Sequence, residues 1–115
     1  MSDEKTQPNE TSGKSAEQAA REYDSVERGG TGPQLPKMDF SMFIFSLNSS
    51  ALVHLGVLDD PSTGQKSPNL PAARQTIDIL AMLEEKTRGN LTKDEGDMLK
   101  HILHDLRIIY VKEKQ

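Results

Sequence analysis

From Phe40 to Leu58 the chain runs for 19 residues without a Lys, Arg, Asp or Glu. That run limits what the surrounding sequence can build. Phe40, Phe43, Ile44, Leu47, Ala51, Leu55 and Leu58 recur at helical spacing, with His54 on the same stripe. Asp39 stands just before them, where a carboxylate satisfies free backbone amides and faces the positive end of the helix dipole. The pattern predicts a helix from Phe40 to Leu58. Met42, Phe45, Leu52 and Val53 add apolar surface off the stripe, so this helix is apolar nearly all round. Such a helix lies in a core, crosses a bilayer or is covered by a partner. Its length reaches the roughly 20 residues of a membrane span. Against that, Asn48, His54 and four Ser place polar groups near the midplane, and neither flank carries a basic cluster or an aromatic belt. The sequence favours a helix covered by other helices over one that enters a membrane.

Two further segments are available to cover it. Leu70, Ala73, Ile77, Leu80 and Leu83 line one face of a helix expected from Leu70 to Arg88. Asn69 caps it, Pro71 lies in the first turn where its missing N–H costs nothing, and Gly89 fits the position after its end. A third helix is expected from Lys93 to Lys112, with Met98, Leu99, Ile102, Leu103, Leu106, Ile109 and Tyr110 along one face. Thr92 and Glu95 have the spacing of a capping box. The polar stretch 59–68, with Pro61 and Gly64, is long enough to let the chain turn back. No segment alternates with period two. The fold class predicted is all-α: an antiparallel three-helix unit, made of a helical hairpin and a third helix.

The apolar residues are unevenly placed. Residues 1–36 hold seven of the 39 hydrophobic residues, three of them Ala, and residues 37–115 hold the other 32. The division predicts a disordered tail and linker over 1–37 and a helical domain over 38–115. Inside the tail, Ser15 is placed to cap a helix from Ala16 to Arg28 that Gly29 and Gly30 would end. An isolated helix of that length is marginal in water, and the segment is expected to lack stable structure.

Composition excludes several chemistries. With no Cys there is no disulfide scaffold, thiol nucleophile or iron–sulfur cluster. A net charge of −4 without a basic run argues against binding nucleic acid, which requires a positive face. The polar start Met1-Ser2-Asp3-Glu4-Lys5 is unlike a secretory signal, which makes the cytoplasm the expected location.

The residues able to do chemistry are few. Asp97, His101 and Asp105 are spaced by four on one face of the third helix, with His104 beside them. Imidazole and carboxylate groups in that pattern could hold a divalent metal. The same spacing describes ordinary i,i+4 pairs on a solvated face, and this is the reading preferred. His54 has no orienting carboxylate or oxyanion-binding loop in its neighbourhood of sequence, so no catalytic residue, metal site or cofactor site is assigned. A metal-dependent enzyme built on the His101/His104 face and a membrane-associated protein using residues 40–58 stand as alternatives.

The surplus of apolar surface on residues 40–58 points to self-association. The expected interface includes Phe40, Phe43, Ile44, Leu47 and Ser50 on the first of the three helices, with Ile108 and Val111 on the last. The function expected is a non-enzymatic interaction module, a homodimer with an additional protein partner of unknown identity.

Several irregular stretches occur together in order: Met38-Asp39-Phe40-Ser41, Ser49-Ser50-Ala51-Leu52-Val53-His54-Leu55-Gly56, Asp60-Pro61-Ser62-Thr63-Gly64, Asn69 through Leu80, and Lys86-Thr87-Arg88-Gly89-Asn90-Leu91-Thr92. In this arrangement the chain resembles a bacterial family catalogued as domain of unknown function 1844, over about residues 38–112. The resemblance implies a small helical bacterial protein with a variable polar tail. It brings no activity, substrate or catalytic residue. His54 and the Asn69-Leu70-Pro71 cap fall within the matching stretches, whereas His101 and His104 do not.

Overall fold

Helix starts in this chain are written by side chains that accept orphan backbone N–H groups, and a computed structural model, which describes residues 13–26, 35 and 37–115, bears this out four times. Four helices are present among those residues: α1 (Ala16–Ser25), α2 (Phe40–His54), α3 (Leu70–Lys86) and α4 (Lys93–Lys114). The described residues are all-helical apart from turns and an isolated antiparallel bridge between Asp60 and Gln65.

The chain divides between Lys37 and Met38 into two units. In the first, the Ser15 side chain accepts a hydrogen bond from the Gln18 N–H, and Lys14 pairs with Glu22. The helix that Ser15 was placed to cap is present as α1, ten residues long and shorter than the expected Ala16–Arg28. It buries none of its residues. Local terms, namely the cap and the Ala-rich composition, are what hold it. The Gly29-Gly30 stop expected at its end lies outside the described residues.

In the second unit α2, α3 and α4 pack pairwise on one another. Asp39 caps α2 by accepting from the Met42 N–H at 2.8 Å. Asn69 caps α3 by accepting from the Ala72 N–H at 3.1 Å. Thr92 and Glu95 close the capping box of α4: the Thr92 hydroxyl accepts from the Glu95 N–H at 3.1 Å, and the Glu95 carboxylate accepts from the Thr92 N–H at 2.9 Å. Ile44 and Ala51 of α2, Ala73, Ile77 and Leu80 of α3, and Leu99, Ile102, Leu103 and Leu106 of α4 form the core, together with Leu55. Full burial of each large member contributes about 1.5–3 kcal/mol.

α2 ends four residues earlier than its apolar pattern suggests. Gly56 takes φ +83°, a left-handed conformation that breaks the helix, and the N–H groups of Val57 and Leu58 both donate to the Leu52 carbonyl at 2.9 and 3.2 Å. The hydrophobicity of Val57 and Leu58 therefore continues past the helix rather than along it. The connection is then drawn in by one backbone bond, from the Asn69 N–H to the His54 carbonyl at 2.7 Å, which joins the last residue of α2 to the cap of α3. At its tip the Asp60 carboxylate accepts from both the N–H and the hydroxyl of Ser62. Thr87 and Gly89, at φ +84°, finish α3, and α4 runs two residues beyond the expected Lys112.

Candidate interaction surfaces

Along α2 the core takes one side and leaves the other bare. Ile44 and Ala51 are 0% exposed, while Phe45 is 62% and Phe43 40% exposed, and Met42, just before Phe43, is also exposed. Because the helix carries no charged residue, nothing on this outer side competes with an apolar partner for contact. Ser46 turns its hydroxyl back onto the Phe43 carbonyl at 2.7 Å, which partly internalises its polarity.

The residues expected at an interface separate into two sets. Phe43 and Ser50 are exposed, as are Ile108 at 54% and Val111 at 55%. Ile44 is completely buried inside the monomer, so it is a core residue and not part of a surface. Phe40 and Leu47 are half-buried and pack against the same core. An all-round apolar helix gives no sequence cue to which sector its neighbours will cover, and this is how Ile44 came to be grouped with surface residues.

Ile108 and Val111 belong to a wider feature. They line an open groove of about 470 Å³ together with Leu103, His104, Lys100 and Arg107 of α4 and Glu84 of α3. A smaller hollow of about 260 Å³ continues from Arg107 and Val111 toward Arg74 and Tyr110. Lys100 and Arg107 were not singled out from the sequence. Their signal was present as two cations seven residues apart on either side of an apolar patch.

The four candidate metal ligands do not converge. Asp105 lies beside both imidazoles, with His101 Nε2 and His104 Nδ1 each 3.3 Å from its oxygens. Asp97 faces away to Lys93, 2.8 Å from its Nζ, and this hydrogen bond and charge hold its carboxyl below the usual range. Among the described residues no three His, Asp or Glu side chains are grouped so as to hold a metal ion. Among them, too, no helix is long and apolar enough to cross a membrane. His54 is half-buried at the end of α2, and its charge contributes, after the two Ser62 hydrogen bonds, to lowering the Asp60 pKa.

The three packed helices and their connections coincide with a family signature. The model of the family described as Domain of unknown function (DUF1844) matches residues 37–112. The chain belongs to this family. The DUF1844 match starts one residue before the second compact unit and takes in α2, α3 and nearly all of α4, so both exposed apolar features are family territory. No curated protein and no solved structure matches the chain.

Proposed function

We propose that this DUF1844 protein is a non-enzymatic interaction module that self-associates through the outer side of α2. The observation carrying this reading is the exposure of Met42, Phe43 and Phe45 on a helix without charge whose opposite side is already filled by Ile44 and Ala51. Three large apolar side chains left facing water along one helix are costly unless another surface covers them. A second copy is a self-complementary cover, since an uncharged surface meets its own image without like-charge repulsion.

In this reading α2, α3 and α4 form an antiparallel unit. Two links support it: the His54 carbonyl at the end of α2 holds the start of α3, and Arg74 near the start of α3 lies over Tyr110 near the end of α4.

Sedimentation velocity at tens of micromolar tests the proposal. The full chain is expected to sediment as a dimer, and Phe45→Asp, at an exposed position where the fold should be retained, as a monomer with unchanged helicity. A wild-type chain that stays monomeric over that range overturns it.

A further inference from the structure

The groove along α4 has a chemistry different from the outer side of α2, and it goes beyond the self-association just proposed. Its floor is apolar, formed by Leu103, Ile108 and Val111. Its edge is cationic, with Lys100 and Arg107 two helical turns apart. Neither lies within 4 Å of a carboxylate among the described residues, in contrast to Lys93 with Asp97 and Arg74 with Asp78. Glu84 is the carboxylate that the facing helix contributes, and the two cations outnumber it. Among the lining residues this leaves one positive charge in excess, with Asp97 near enough for the Lys100 charge to lower its pKa, on a chain whose net charge is −4.

We propose that this groove docks an amphipathic helix of a protein partner whose apolar ridge is flanked by carboxylates. Lys100 to Val111 spans about 16 Å at about 1.5 Å per residue. That is three turns, the length over which a bound helix seats apolar anchors at i, i+4 and i+7. Carboxylates two turns apart on such a helix would meet Lys100 and Arg107 together and fix its register. Charge complementarity of this kind sets partner choice and the rate of encounter. A second copy of the chain is the weaker fit, because it would bring another Lys100 and Arg107 to the same edge.

The test is selection of helical peptides of about 14 residues, roughly four turns, from a displayed library on the immobilised full-length protein. Enriched peptides are expected to carry apolar residues at i, i+4 and i+7 and a net negative charge. Their binding should weaken about tenfold or more with Arg107→Glu or Ile108→Asp, the cost of like charge or of a carboxylate in an apolar contact. It should also fall with added salt. Both substitutions are at exposed positions, and circular dichroism checks that helicity is kept. Enrichment without an acidic bias overturns the proposal, as does binding indifferent to both substitutions, or failure to enrich any peptide. If Ile108→Asp instead converts a dimer to a monomer, the groove holds a second copy and the proposal is likewise overturned. Phe45→Asp is expected to leave peptide binding unchanged, so loss of self-association and loss of docking are read separately.

Discussion

The guanidinium carbon of Arg74 lies 5.7 Å from the centre of the Tyr110 ring, tying the first turns of α3 to the last turns of α4. Arg74 is also 3.4 Å from Asp78, so one cation is shared by an aromatic face and a carboxylate. The nearby Tyr110, and then Asp78, raise the Arg74 pKa above its ordinary value. A double-mutant cycle with Arg74→Met and Tyr110→Leu should be non-additive, with the second substitution costing less once the first is in place. Urea midpoints of the four proteins measure this. Additive losses would mean that the two residues act independently.

Ile44 and Phe45 are neighbours in sequence with opposite duties. Ile44→Ala should lower stability by about 2–5 kcal/mol, because it opens a cavity among fully buried side chains. It should leave the association constant of the folded protein unaltered. Phe45→Ser should do the reverse, weakening association with little effect on the urea midpoint of the monomer. Denaturation at low protein concentration, paired with sedimentation at high concentration, separates the two effects.

The glycines of the second unit offer a graded series. Gly56 and Gly64 both have left-handed φ, at +83° and +72°, so Ala at either position should cost about 1–2 kcal/mol. The two costs should be similar, since the new Cβ of Gly56 would meet Pro68 at an ordinary contact distance of 3.4 Å and that of Gly64 meets open space. Gly96 lies within α4 with nothing near its missing Cβ, and Gly96→Ala should stabilise by about 0.5–1 kcal/mol. Thermal unfolding of the three variants gives the order directly.

Asp60 is held below the usual aspartate range by the Ser62 hydroxyl and N–H, with a smaller contribution from His54. A depressed folded-state pKa stabilises above the unfolded value, near 3.8, and that contribution disappears as pH falls through the folded value. The turn 59–65 should therefore loosen in acid below about pH 4. An NMR titration should place the Asp60 midpoint below that of an unstructured Asp, and Ser62→Ala should move it upward. A midpoint unaffected by Ser62→Ala would show that the hydroxyl does not hold the carboxylate.

Helix starts were plain in the sequence because each cap is a local, short-range transaction. Asp39, Asn69 and Thr92 with Glu95 each sit where the backbone N–H groups need them. Helix ends were less plain. Val57 and Leu58 extend the apolar pattern, yet the left-handed Gly56 had already turned the chain, and hydrophobic spacing carries no information on φ. The start of α1 was legible in the same way, from the Ser15 cap. The surfaces were legible in part. Phe43, Ile108 and Val111, expected at an interface, are exposed, whereas Ile44 of the same expected set is a core residue. The cationic edge of the α4 groove was legible in the spacing of Lys100 and Arg107, whereas the approach of Glu84 from α3 depends on how the helices pack, which spacing along a single helix does not supply.

The bond from the Asn69 N–H to the His54 carbonyl leaves the outer part of the connection, beyond the buried Leu55, little part in aligning α2 with α3. With the two helix ends clasped directly, the intervening chain becomes an excursion whose length the bundle does not sense. A longer or shorter segment around Pro61–Gly64 should then be tolerated in this chain without loss of the core. The same segment is where a fluorophore or an inserted peptide can be carried while both exposed surfaces stay intact.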